Sequence, residues 1–201
     1  MLDEVLYLTP EDTEGPVFSE RAVPDIPRSK PEILIPGIRE DGSLFPIEKI
    51  EAHVKGVHHL ALSVFIFDGD DLLIQQRAKD KYHCGGMWAN TCCTHPHMGE
   101  DIQTAVARRL DEELGITIAA QEKRIVEYSA DVGNGLWERE RVHMFRAEAD
   151  KNTLRYNLNP EEVAAIRWVS RADLVEEINT YPERFTPWFR IYVSRFPELD
   201  F

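Results

Sequence analysis

The sequence predicts an α/β (α+β) domain in which a sheet is flanked by helices, and three observations predict it. Leu60 to Phe67 (LALSVFIF) and Leu72 to Arg77 are apolar, β-branched and aromatic runs of strand length, separated by Asp68-Gly69-Asp70-Asp71, which is the pattern of a hairpin. From Asp101 to Leu114 the apolar residues Ile102, Ala105, Val106, Leu110 and Leu114 share one helical face, and Gly115 is placed to end that helix. Arg124 to Val132 and Leu136 to Ala149 read as two more strands around Gly133-Asn134-Gly135. Strands and helices alternating in this way bury a sheet beneath helices.

The remaining elements follow in order. Residues 1–32 are rich in Pro, Glu and Asp, with Pro10, Pro16, Pro24, Pro27 and Pro31 breaking any period, so an irregular N-terminal arm is expected there, with enough apolar residues (Leu2, Val5, Leu6, Tyr7, Val17, Phe18) to dock on the domain of residues 33–201. Ile33 to Pro36 is a short strand, and Gly37 to Leu44, with its Asp41-Gly42 pair, a turn. Val163 to Val169 is a strand and Arg171 to Asn179 a helix. Phe185 to Phe196 is a terminal helix with Pro187 in its first turn.

Composition narrows the function. With 43% apolar and 29% charged residues the 201-residue chain has the profile of a single folded domain. Its net charge of −13 argues against a nucleic-acid surface, and an anionic ligand would need cations gathered locally. No stretch is long and apolar enough for a membrane span, and the acidic N-terminus has no signal-peptide character, so a cytoplasmic protein that does not engage membranes is expected. Three cysteines, two adjacent, make a poor disulfide framework and fit a reducing compartment.

Chemistry-bearing residues crowd between Lys81 and Ile116 and in the strand after Gly135. In that strand Leu136, Glu138, Glu140, Val142 and Met144 share one side, so two carboxylates interrupt an apolar face, a costly arrangement unless a cation compensates it. Imidazoles with carboxylates suit divalent ions, although a single His is more often a hydrogen-bonded or surface residue. Cys93 has the options of a nucleophile, a metal ligand, an acid/base group or a buried structural thiol. A zinc site of Cys84, Cys92, Cys93 and His95 is disfavoured, because adjacent cysteines in an extended segment point to opposite sides. Arg109 and Glu113, four apart on the helix, have a solvated salt bridge as their ordinary reading.

Glu100, seven residues, then Arg108-Arg109-Leu110-Asp111-Glu112-Glu113-Leu114-Gly115-Ile116 has the spacing of a Nudix box, with Arg109 where that pattern has Glu and Thr94 where it has Gly. Together with Trp88-Ala-Asn-Thr-Cys-Cys93-Thr-His95-Pro96, roughly residues 32–196 resemble the type 1 isopentenyl diphosphate isomerases. The resemblance implies a Nudix-type α/β/α sandwich with a mixed central sheet. It implies metal ligands at His53, His59, His95, Glu138 and Glu140, with His58 as an alternative to His59, and Mg²⁺, Mn²⁺ or Zn²⁺ bound there. Glu113 would hold a Mg²⁺ together with the substrate diphosphate. Cys93, Glu140 and Tyr128 match the family's catalytic residues. Lys49, Arg77, Lys81 and Arg109 match its diphosphate-binding cations, and Trp188 matches its pocket aromatic.

The implied reaction isomerises isopentenyl diphosphate to dimethylallyl diphosphate, a small prenyl diphosphate substrate, in a monomer or weak dimer. The alternative is a Nudix diphosphohydrolase acting on a nucleotide or prenyl diphosphate, against which Arg109 argues because it removes a metal-holding carboxylate. A non-catalytic relative is the third reading. The chain departs from the family at Cys84-Gly85-Gly86, where aromatic-Pro-Gly is usual, and at Ala89, where Thr or Ser follows the Trp.

Overall fold

In the computed structural model the described residues are 6–7, 33–197 and 199. Among them ten strands form one mixed sheet: β1 (Leu6–Tyr7), β2 (Leu34–Ile38), β3 (Leu44–Glu48), β4 (His59–Asp68), β5 (Asp71–Arg77), β6 (Trp88–Ala89), β7 (Cys92–Thr94), β8 (Gln121–Gly133), β9 (Leu136–Glu148) and β10 (Val163–Ser170). The helices are α1 (Lys49–Lys55), α2 (Ile102–Leu114), α3 (Arg171–Thr180) and α4 (Pro187–Arg195). Apart from the Leu6–Tyr7 strand, which runs parallel to β8 at Val126 and Glu127, the expected irregular arm lies outside the described residues. Among the described residues no helix is long and apolar enough to cross a membrane.

β4 is the axis of the sheet. Along one edge it pairs in parallel with β9, from His59 opposite Glu140 to Phe67 opposite Glu148. Three strands share its other edge in turn: β2 at His59, β7 at Leu62 to Val64, and β5 at Ile66 to Asp68. β5 then diverges to pair with β10 and β6, so the sheet splits where β7 is wedged in. Two buried side chains hold the wedge. Thr91 Oγ1 accepts from Ile66 N on β4 at 3.0 Å and donates to Leu73 O on β5 at 2.5 Å, while Asn90 Nδ2 donates to Val64 O at 3.2 Å and Cys92 O at 2.8 Å.

The sheet's two faces bury separate cores. Leu62, Val64, Ile66, Cys92 and Phe145 pack under Ala105, Val106, Leu110 and Leu114 of α2. On the opposite face Ala61, Phe65, Val142 and Met144 pack against Ile50 and Val54 of α1, Leu174 of α3 and Phe189 and Tyr192 of α4. This is the expected α/β/α layering.

Several expectations shift in detail. The strand expected at 33–36 runs on to Ile38, and the expected turn over 37–44 narrows to residues 39–43, because β3 pairs with all of β2 from Leu34–Glu48 to Ile38–Leu44. The terminal helix starts at Pro187 and not at Phe185, since Phe185 is taken into a bridge with Trp88. Helix α1 has no counterpart in the sequence reading. Its N-cap is Glu48, whose carboxylate accepts from Glu51 N at 2.8 Å, an unfavoured residue for that position, and it is only seven residues long.

Helix α2 ends where expected, before Gly115, and starts one residue later than expected, at Ile102, because Asp101 is its N-cap. Asp101 accepts from Thr104 N at 3.0 Å, and Gly115 takes the left-handed conformation at φ 62°. Past it, Asn157 N donates to Leu114 O at 2.7 Å and Asn159 N to Glu113 O at 3.0 Å, so the segment leading to Glu162 docks on the free carbonyls at the end of α2. A Cβ at Gly115 would lie 2.8 Å from both Cβ and N of Asn157. Gly115→Ala is therefore expected to cost about 1–3 kcal/mol, since a strained φ and a backbone clash add. A urea-unfolding midpoint equal to that of the wild type would refute this account of the helix end.

Candidate active site

The metal-ligand candidates are assembled by three elements. Lys49 and His53 are one helical turn apart on α1, His59 opens β4, and His95 follows β7. The three imidazole centroids form a nearly equilateral triangle, 5.0 Å for His53–His59, 4.9 Å for His59–His95 and 5.1 Å for His53–His95. Each of two rings is oriented by a backbone carbonyl: His53 Nδ1 lies 2.7 Å from Lys49 O and His59 Nδ1 2.6 Å from Val57 O. A carbonyl accepts only, so both Nδ1 atoms carry the proton and both Nε2 atoms present a lone pair. His53 Nε2 is buried with no hydrogen-bond partner among the described residues. His58, the alternative ligand, turns away, with Nε2 3.8 Å from Glu127 Oε1.

The carboxylates come from β9. Glu140 stands opposite His59 across the parallel ladder, and its Oε1 is 2.9 Å from His95 Nε2 and 3.5 Å from His59 Nε2. Tyr128, opposite Glu140 on β8, has its hydroxyl 2.7 Å from both Glu138 Oε2 and Glu140 Oε2. A phenol has one proton to donate, so one of those contacts must be donated by a carboxylic acid. The charges agree: burial, reinforced by Glu140, pushes the Glu138 carboxyl well up, whereas for Glu140 burial is outweighed by the neighbouring His59 and His95 imidazoles, which hold it well below the usual range. The proton of Glu138 thus points to Tyr128, and that of Tyr128 to Glu140. Burial also lowers His53 far below its ordinary value and His95 to about 4, leaving neutral imidazoles, the ligating form. The donor atoms of His53, His59, His95 and Glu140 all lie within 4.8 Å of one another. Convergent lone pairs, an orphaned Nε2 and a carboxylate pair fit a divalent cation.

Cys93 and Cys92 face opposite sides of β7, as alternation requires. Cys92 is sealed in the α2 core, and Cys93 lies on the face bearing Glu140. Cys93 Sγ is 3.4 Å from Ser63 Oγ, which is itself 3.3 Å from the Tyr192 hydroxyl. Burial, with Glu140 and Glu138 adding to it, pushes the thiol well up, so Cys93 holds its proton. The described cysteines are all free.

The basic residues converge on the same pocket, which is lined by Lys49, Arg77, Lys81, Arg109, Glu113, Cys93, His95, Glu138, Glu140 and Trp188 along with Tyr82, His83 and Thr94. The Arg109–Glu113 pair is not the solvated bridge of the ordinary reading. Arg109 binds Glu113 and reaches Glu112 at 2.8 Å and Glu162 at 3.2 Å, and Glu113 is also held by Gln75 Nε2 at 3.0 Å; packing of β5 and the 157–162 segment against α2 closes water out. Lys81 Nζ is 2.5 Å from Glu162 Oε2. Burial, then repulsion from Lys81 and Arg109, lowers Lys49 to about 8. Trp188 is fully buried, its Nε1 donating to Asn90 Oδ1 at 3.2 Å, with the Arg77 guanidinium 5.3 Å from its ring centroid.

Sequence reasoning missed Tyr82, His83, Glu162, Ser63 and Tyr192. The loop carrying the first two is shaped by Gly85, where a Cβ would lie 2.2 Å from Lys79 O. That steric need accounts for one unusual residue of Cys84-Gly85-Gly86. Ser63 is the single hydroxyl in the apolar run LALSVFIF and was the one local signal available; Glu162 gave none, because its partners lie 53 and 81 residues away.

Residues 57–189 match the NUDIX domain family. The chain is 52% identical over 162 residues to isopentenyl-diphosphate Delta-isomerase of Cereibacter sphaeroides, covering 80% of this chain and 91% of that protein. It is 49% identical over 170 residues to the isopentenyl-diphosphate Delta-isomerase of Ruegeria pomeroyi, covering 84% and 93%. In fold it is similar to the crystal structure of a MutT protein from Methanosarcina mazei, with a TM-score of 0.54 and 20% identity over 69% of this chain and 92% of that one. A NUDIX match over most of the chain, with half-identity to full-length relatives, makes this chain a member of the isopentenyl-diphosphate Delta-isomerase family within the NUDIX proteins.

Proposed function

We propose that the protein interconverts isopentenyl diphosphate and dimethylallyl diphosphate. The observation that carries this reading is that Cys93 and Glu140 line one pocket from opposite edges of β4, beside a buried Trp and a cluster of four cations. Moving a double bond from C3–C4 to C2–C3 requires a proton delivered to C4 and a proton removed from C2. An acid and a base on different sides of the substrate meet that need, and the same pair runs the reaction in either direction.

Cys93 holds or receives the proton at Sγ and Glu140 at its carboxylate. Tyr128 anchors Glu140 through its hydroxyl, and Ser63 and Tyr192 fix the thiol. Trp188 presents an apolar ring to the tertiary cationic carbon formed in between and screens it from water. Lys49, Arg77, Lys81 and Arg109 hold the diphosphate, so the chain of carbons is oriented between the acid and the base and the diphosphate is restrained from leaving. His53, His59, His95, Glu138 and Glu140 would hold one divalent cation, Mn²⁺, Mg²⁺ or Zn²⁺, and Glu113 a Mg²⁺ shared with the diphosphate. Such ions supply positive charge that keeps Glu140 ionised and neutralises the phosphates.

Purified protein with Mg²⁺ and isopentenyl diphosphate is expected to form an acid-labile allylic product and release no phosphate or pyrophosphate. Hydrolysis without the allylic product would reject the reading. Cys93→Ala is expected to lower kcat by roughly 10²–10⁴-fold with diphosphate binding retained, and full turnover in that variant would remove Cys93 from the chemistry.

Lys49 adds a pH signature. Its ammonium is charged below about 8 and neutral above, and the charged form is the one that binds diphosphate, so kcat/KM, which reports the free enzyme, should fall as pH rises through about 8. Lys49→Arg, which stays protonated, should move that fall to higher pH. A profile that stays unchanged in Lys49→Arg would show that another group sets the alkaline limb.

A further inference from the structure

One buried side chain in the pocket has no role in the reaction as derived. His83 is 3% exposed and sits on the loop after β5. Its Nδ1 is buried without a hydrogen-bond partner among the described residues, and its Nε2 faces Glu138 Oε1 at 3.6 Å, beyond hydrogen-bonding range. The ring is held by packing: edge-on to Tyr82 with centroids at 4.3 Å and to Trp188 at 5.7 Å, and stacked on His53 at 5.6 Å. The backbone is held as well, with the His83 carbonyl accepting from Arg77 at 3.3 Å. Imidazoles sealed from water ordinarily have their nitrogens bonded, and leaving a buried polar group unsatisfied costs about 1–3 kcal/mol. A cation that accepts the ring's one lone pair would satisfy one of these two nitrogens.

Donor atoms of His53, His83 and Glu138 lie within 4.8 Å of one another, as do those of His53, His59, His95 and Glu140. The two groups share His53, whose Nε2 is orphaned. A cation taken by that nitrogen therefore has both groups beside it.

We propose that His83 is a metal ligand, the fourth imidazole around the cation held by His53, His59, His95 and the Glu138–Glu140 pair. The inference rests on the metal site put forward above and extends it. Four neutral imidazoles and two carboxylates supply six donors from protein alone, enough for an octahedral shell with no water in it. Such a nitrogen-rich set favours Mn²⁺, Co²⁺ or Zn²⁺ over Mg²⁺, which prefers oxygen and keeps its waters. It also leaves no metal-bound water beside a carbocation that water would trap. The ion then acts on Glu140 as fixed charge and has no open position for a substrate atom.

The test uses full-length protein stripped by a chelator and titrated with Mn²⁺ alone, followed by pulsed EPR to count nitrogen-coupled imidazoles on the bound ion. Wild type is expected to show four. His83→Ala should show three and bind Mn²⁺ at least about tenfold more weakly. His83→Asn, smaller but still polar, provides the same comparison if the alanine variant does not fold by circular dichroism. Three imidazoles in wild type, or a variant that keeps wild-type affinity and count, overturns the proposal. A wild type that binds no Mn²⁺ overturns the underlying metal site as well, whereas four imidazoles in a protein lacking isomerase activity upholds this proposal and overturns the assigned reaction.

Discussion

The structure depends on one unfavourable pair. Glu138 and Glu140 point to the same apolar face of β9 and share a single phenol oxygen between them. Two ionised carboxylates about 5 Å apart at an effective dielectric of about 20 repel by roughly 3 kcal/mol, more than about two pKa units, before any cost of burial. Left to itself, the pair resolves this by keeping a proton on Glu138 and turning His59 and His95 toward Glu140. A divalent cation would resolve it differently, by letting both ionise. The three-imidazole triangle suits the second outcome, since its His53 Nε2 lone pair has no other use.

What places those imidazoles is backbone geometry outside the site. Lys49 O and Val57 O fix the Nδ1 tautomer of His53 and His59, and the parallel register of β4 with β9 brings His59 level with Glu140. The short wedge β7 brings Cys93 level with Ser63 and lets His95 reach across to Glu140. Asn90 and Thr91 hold that wedge by bonding β4 and β5 at once, and Asn90 also receives the Trp188 indole. The run Trp88-Ala-Asn-Thr-Cys-Cys93 is therefore one unit: its polar residues are buried spacers that keep the Cys93 thiol, the His95 imidazole and the Trp188 ring in register.

How much of this was legible in the sequence follows from the range of the forces involved. Helix α2 was legible to its C-terminal cap because the apolar period and Gly115 are both local. The Glu138–Glu140 alternation and the opposite facing of Cys92 and Cys93 were legible because strand pleating is strict. Helix α1 was not, since a seven-residue helix with Glu as its N-cap and β-branched Ile50 and Val54 is made by tertiary packing and not by propensity. His83 and Glu162 were not legible for the same reason: each matters only through partners that the sheet split and the α2 terminus bring to it. The family resemblance supplied the histidine set that spacing alone left open, but it carried no information on a residue such as His83.

The charge at position 109 decides what this acidic scaffold can do. Arg109 sits among Glu112, Glu113 and Glu162 with its side chain largely buried, and its guanidinium satisfies all three. A carboxylate in its place would bring four acids together, those at 109 and 113 lining the pocket, a charge that bound metal ions would offset, as suits hydrolysis. With Arg there, a fixed cation offsets part of that charge, and Glu162 serves as an internal anion joining Lys81 to Arg109. Lys49, Arg77, Lys81 and Arg109 are thus gathered on one pocket already partly compensated, which is how an acidic chain could meet the anionic substrate proposed above. Binding without attack is what the proposed isomerisation needs, and a fixed cation on α2, in place of a metal-holding carboxylate, favours it.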